Sequence, residues 1–177
     1  MHVRALGLIV IAMAGCDSEA PPPAPSPAVT ASAASGTVPC SDVIGTVPTP
    51  DPGLTVIDDA VALPAAAGMP APLQVSADRT ETGSVLFAKT GLLVRRRAQV
   101  RLRVLPPAAG RAWIGWGSPA EPGPQALVDG CDSADAWMAF AGGYWVRTPM
   151  CVPVGVRVGR GVEHQVDIGV GKPCPSS

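Results

Sequence analysis

The sequence contains no asparagine, only two lysines against eleven arginines, and a single histidine, His164, beyond the first fifteen residues. Charged residues make up 15% of the chain and aromatic residues 4%. Each shortage excludes something. A lone histidine does not make a metal centre, which needs several donors converging on one point; no metal and no cofactor are expected. Past residue 15 the basic count falls from 13 to 12 with the loss of Arg4, against 14 acidic residues, for a net charge of −2. That balance does not suit nucleic acid, and no nucleic-acid partner is expected. There is no G-x-S-x-G run, and Ser118 sits in a Gly-Trp-Gly-Ser-Pro loop context. The acidic pairs Asp58/Asp59 and Asp132/Asp135 read as solvated turn residues rather than as facing catalytic carboxylates. The spacing of Asp129, Asp132 and Asp135 matches no calcium loop. The chain is expected not to be an enzyme. The missing asparagine and the arginine bias fit a GC-rich genome.

What is abundant is glycine and proline, 20 and 21 residues. Residues 1–15 have a positive start at Arg4 and an apolar run from Leu6 to Ala14, too short for a stable membrane span. The run ends in Met13-Ala14-Gly15-Cys16. This resembles the lipobox of bacterial lipoproteins, in which small residues precede a cysteine that receives a diacylglyceryl group. The resemblance implies cleavage before Cys16 and lipidation of its thiol. Each buried methylene contributes about 0.8 kcal/mol, so two or three acyl chains anchor firmly. The expected location is the cell envelope, on the extracytoplasmic side of a membrane. Residues 16–39, rich in Pro, Ala and Ser, carry no apolar periodicity and read as a linker.

Residues 40–177 are expected to form one domain. Four cysteines remain there: Cys40, Cys131, Cys151 and Cys174. An even number in an exported chain reads as two disulfides, with three possible connectivities. Cys131–Cys151 with Cys40–Cys174 is the preferred pairing, because the first pair flanks one expected hairpin. That hairpin consists of Ala136–Ala141 and Tyr144–Thr148, joined by a turn at Gly142-Gly143. Around it lie other strand patterns. Leu54–Leu63 is interrupted by Asp58-Asp59. Ser84–Lys89 and Leu92–Val94 flank a kink at Thr90-Gly91. Ala98, Val100, Leu102 and Val104 alternate with polar residues. Residues 117–130 read as a long loop. Val152 to Val158 and Val162 to Val170 alternate most clearly and are expected to pair antiparallel. Seven to nine short strands without a convincing helix predict an all-β fold. The expected form is an antiparallel β-sandwich, immunoglobulin-like in general shape, with a small β-barrel as the alternative.

Candidate binding residues are few. Arg95, Arg96 and Arg97 form a hairpin tip, with Arg101 and Arg103 nearby; they would suit an anionic envelope polymer or lipid headgroups. Among the aromatic residues, Trp113, Tyr144 and Trp145 are candidates to stack on a sugar or a partner's apolar surface. Trp113 and Trp116 are three apart and point to opposite faces. His164 shares an apolar parity with Val162 and Val166.

Residues 92–174 also resemble a recurring pattern in uncharacterised lipoproteins of GC-rich bacteria. The pattern is Gly91, Leu92, Val94 and Arg95; then Gly115, Trp116 and Gly117; then Gly142, Gly143, Tyr144, Pro149, Cys151, Val152 and Pro153; then Gly169, Gly171, Pro173 and Cys174. It implies a compartment and disulfides, not an activity. The expected function is that of a membrane-anchored envelope lipoprotein with a non-enzymatic sandwich that binds a partner protein or cell-wall glycan. The alternatives are an accessory subunit of an envelope complex and, more remotely, a hydrolase or carrier of a small apolar ligand.

Overall fold

The chain divides into two units, Met1–Ala31 and Ser32–Ser177. The computed structural model describes residues 36–69, 71–80 and 83–175, all in the second unit. The export segment, Cys16 and the linker as far as residue 35 lie outside the described residues. So do Glu81 and Thr82.

Twelve strands are described: β1 (Gly36–Val38), β2 (Val43–Val47), β3 (Thr55–Ile57), β4 (Val61–Leu63), β5 (Ser76–Thr80), β6 (Gly83–Arg95), β7 (Gln99–Val104), β8 (Ala112–Trp116), β9 (Gln125–Asp129), β10 (Trp137–Val146), β11 (Met150–Val158) and β12 (Glu163–Val170). They form two packed sheets, a β-sandwich. The first runs β1-β9-β7-β11-β12; the second runs β2-β10-β6-β4-β3, with β5 also on β6 and β8 also on β10. Every pairing is antiparallel except β1 with β9.

Two-residue alternation explains which sequences sit where. On β7, Val100, Leu102 and Val104 are buried while Gln99, Arg101 and Arg103 face solvent. On β11, Val152, Val154 and Val156 fill the same core, and β11 pairs with β12 as its pattern predicts. On the facing sheet Met138, Phe140, Tyr144 and Val146 of β10 close the core with Leu92 and Val94 of β6. Each fully buried Val or Leu side chain contributes about 1.5–3 kcal/mol of transfer free energy. Among the described residues no charged side chain is buried.

Several expectations are corrected. Gly142-Gly143 is not a turn: β10 runs unbroken through it, and β6 pairs with it from Trp137 to Val146. The other edge of β10 is shared, by β2 over Trp137–Phe140 and by β8 over Gly142–Val146. A β-carbon on Gly142 would lie 2.1 Å from the Gly115 oxygen, and one on Gly143 would lie 2.0 Å from the Ala88 oxygen. These glycines therefore serve close backbone approach, not chain reversal. Thr90-Gly91 likewise lies inside the continuous β6. Residues 117–130 contain β9, and residues 36–38, expected in the linker, form β1. Leu73 bridges to Val170, and β5 occupies Ser76–Thr80. Leu54–Leu63 splits into β3 and β4 around Asp58-Asp59.

The disulfides join Cys40 to Cys131 and Cys151 to Cys174. The preferred pairing is therefore wrong, for a topological reason. Because β1 and β9 are parallel neighbours, the residues just beyond their ends, Cys40 and Cys131, meet. Cys151 stands opposite Gly169, and the chain beyond β12 folds back to bring Cys174 to it.

Candidate binding surfaces

Four turns meet at one end of the sandwich: 58–60, 96–98, 130–136 and 159–162. Their backbones interlock. Arg95 N donates to Ala60 O at 2.8 Å, Arg96 N to Ala136 O at 2.9 Å, Arg97 N to Cys131 O at 2.7 Å and Gly159 N to Gln99 O at 2.7 Å. Asp58, Asp59 and Arg97 all adopt left-handed φ angles of 48°, 50° and 60°. Such angles are costly for side chains other than glycine and mark turns that their surroundings hold firmly.

The hairpin-tip arginines sit in this cap, largely neutralised. Arg95 pairs with Asp59. Arg97 Nη2 lies 3.0 Å from Asp132 Oδ2. The hydrogen bond from Arg97 holds the Asp132 carboxyl below the usual carboxylate range. Arg96 is exposed. The three loop aspartates have different partners. Asp129 accepts from Gln99 at 2.8 Å, Asp132 from Arg97, and Asp135 from the Thr46 hydroxyl. His164 is not a core residue; its Nε2 lies 3.1 Å from Asp58 Oδ1, across the open edge between the sheets. Ser118 N donates to Asp42 Oδ2 at 2.8 Å.

The aromatic candidates are largely spoken for. Tyr144 is fully buried and meets Trp116 edge-on, with ring centroids 5.7 Å apart. Trp145, on the outer face, is covered by Phe87 at 4.5 Å and donates to Asp78 Oδ2 at 2.9 Å. Trp113 is half-buried, and the Arg147 guanidinium lies 5.3 Å from its ring centre. Parity places Trp113 and Trp116 on opposite faces, as expected, with Trp116 in the core. Tyr144 and Trp145 are thus packing residues, because both sides of β10 are covered.

Among the described residues the Tyr144 hydroxyl has no hydrogen-bond partner. Burial raises its pKa well above the usual phenol value. The folded chain therefore keeps a proton that the unfolded chain releases above about pH 10, and stability falls as pH rises past that point. Tyr144→Phe removes an unsatisfied buried group. It should leave stability at pH 7 unchanged or raise it by about 1 kcal/mol, and should flatten the alkaline fall. Urea unfolding at pH 7 and above pH 10 checks both; a loss of more than about 1 kcal/mol at pH 7 would mean the hydroxyl is bonded after all.

A second group of arginines lies elsewhere, on the outer face of the five-stranded sheet. Arg101 of β7 and Arg157 of β11 are directly opposite in register. Glu163 of β12 stands across from Arg157, yet its carboxylate goes to Arg103, accepting from Nε at 2.8 Å and Nη2 at 2.5 Å. This diagonal reach passes over Gly155, where a β-carbon would come within 2.8 Å of the Glu163 carboxyl carbon. The hydrogen bond to Arg103, with a smaller contribution from the fields of Arg157 and Arg101, holds Glu163 below the usual carboxylate range. Among the described residues neither Arg101 nor Arg157 has an ion pair within 4.0 Å. Both line an open hollow of ≈ 480 Å³, together with Arg160, Gln99, Thr37 and Leu127. The alternation of β7 reveals Arg101 as exposed; its alignment with Arg157 depends on a strand pairing between residues 56 positions apart, and no local signal announces it.

No protein-family model, no curated protein and no solved structure matches this chain.

Proposed function

We propose that this chain is an exported, lipid-anchored envelope protein whose β-sandwich binds a partner protein or a cell-wall glycan without acting on it chemically. The observation that carries this reading is a sandwich closed by two disulfides whose outer sheet face carries Arg101, Arg157 and Arg160 around one open hollow. Two disulfides support an oxidising compartment. A burial pattern with an apolar interior and separately partnered polar residues supports a binding role over a reaction centre.

Two measurements on the full chain test this. Expressed in a bacterial host with a fatty-acid label, the wild type should take up label and partition into detergent. Cys16→Ser should do neither. The wild type, crosslinked in its native envelope, should bring down a protein or a glycan fragment in defined proportion. A chain that remains unlabelled and emerges from crosslinking alone would end this reading.

A further inference from the structure

We propose that Arg101 and Arg157 form an oxyanion clamp for an acidic polysaccharide, laid in the hollow on the outer face of the five-stranded sheet. The inference rests on the binding-module reading above and gives it a site and a ligand class.

Four observations lead to it. First, Arg101 and Arg157 stand directly opposite each other in register across β7 and β11. Like charges directly opposite on a sheet repel, and such a pair weakens the fold unless an anion lies between. Second, the carboxylate best placed to neutralise Arg157 is diverted to Arg103 across Gly155. The positive charge at Arg101 and Arg157 is thus maintained by a neighbouring arrangement that engages Glu163. Third, the hollow gathers three arginines, Arg101, Arg157 and Arg160, while its one carboxylate, Asp129, accepts from Gln99. Fourth, the lining offers more than charge. Leu127 supplies an apolar patch, and Thr37 and Gln99 supply polar groups suited to hydroxyls.

The shape selects among anions. The hollow is open and lies on a sheet face, so it would enclose little of a small metabolite. An extended polymer can lie in it and continue beyond both rims. A planar bilayer cannot follow a concave surface. A single-stranded nucleic acid would need aromatic platforms, yet Trp116, Trp137, Tyr144 and Trp145 are buried. A sugar polymer with an oxyanion on its repeat uses all the groups present: guanidinium for the anion, Leu127 for a ring face, Thr37 and Gln99 for hydroxyls. Arginine is suited to this, because its planar fork binds carboxylate and phosphate oxygens in pairs. Carboxylate-bearing and phosphate-bearing glycans share this chemistry.

The test uses the full chain in detergent, with immobilised polygalacturonate as the carboxylate probe and a poly(glycerol phosphate) as the phosphate probe. Neutral dextran and phosphatidylglycerol vesicles are the controls. The wild type should bind one or both acidic polymers, more weakly as salt rises, and should bind dextran and vesicles at least tenfold less. Arg101→Ala and Arg157→Ala should each lower polymer affinity about tenfold or more; Lys89→Ala, at an exposed cation on β6 outside the hollow, should leave it within about twofold. Without polymer both variants should melt at or above the wild-type temperature, because a repulsion is removed. With polymer they should lose the upward shift that a ligand gives the wild type. Which polymer binds identifies the oxyanion. The clamp is refuted if neither polymer binds, if vesicles bind equally well, or if the two variants bind like the wild type. Envelope crosslinking of the Arg101→Ala/Arg157→Ala double variant separates the two levels: a partner still captured removes the clamp and leaves the binding module standing, whereas a wild type that captures nothing removes both.

Discussion

Gly143→Ala should fail to give a stable fold. The added β-carbon would sit 2.0 Å from the Ala88 oxygen and 2.9 Å from the Phe87 ring. Neither can retreat cheaply, because Ala88 is fully buried in β6 and its backbone belongs to the pairing with β10. Relief would require β10 to move away from β6, its longest pairing. Gly142→Ala meets the same obstacle on the other side, with the Gly115 oxygen at 2.1 Å. We expect each to cost more than about 4 kcal/mol, the range reserved for core overpacking and backbone displacement. For a domain of this size that lowers the melting temperature by about 10 °C or more, or leaves no cooperative transition. Gly45→Ala is the matched control. It also lies on a strand beside β10, but nothing lies within 4 Å of its added carbon. It should change stability by less than about 0.5 kcal/mol. If Gly143→Ala melts within about 2 °C of the wild type, the close approach at this crossing does not exist.

Breaking Cys40–Cys131 should cost more than breaking Cys151–Cys174. The first link spans 91 residues and the second 23. In the chain-entropy model the two loops correspond to about 4–5 and about 3–4 kcal/mol. Replacing both members of each pair by serine gives the comparison without leaving a free thiol. The longer link also fastens the start of the sandwich, so its loss should release β1 from β9. Denaturant titration of the two double variants should rank them in that order. Peptide mapping without reductant should recover the 40–131 and 151–174 fragments; recovery of a 131–151 fragment would overturn the topology.

The strands with one wet face could be read directly. On β7 the alternation of Val100, Leu102 and Val104 with Gln99, Arg101 and Arg103 gave element, face and burial together. The same holds for β11 with β12, whose valines line one core. Strands covered on both faces could not be read so well. β10 carries apolar residues on both sides, so its pattern shows no break, and Gly142-Gly143 looked like a turn. Glycine permits both a reversal and a close approach, and only the neighbouring backbone at Gly115 and Ala88 distinguishes them. β9 was missed inside an apparent loop because Gln125–Asp129 is short and flanked by proline and glycine. Its place is set by β7 and β1, both distant in sequence. The aromatic candidates failed for a related reason: an aromatic side chain suits a binding face and an interior equally well until its cover is known.

By itself the sequence determined the all-β class, with a sandwich preferred over a small barrel, the outward faces of β7 and the use of all four cysteines downstream of residue 39 in disulfides. Periodicity and cysteine parity are local or countable, and need no knowledge of what packs against what. Only the tertiary structure decided which cysteines pair, why two glycines lie in mid-strand, and that Arg101 faces Arg157 while Glu163 leans away to Arg103. Each of these depends on which strands become neighbours. That choice is made by burying two sheets against each other across the whole domain, and it leaves no trace in any short stretch of the chain.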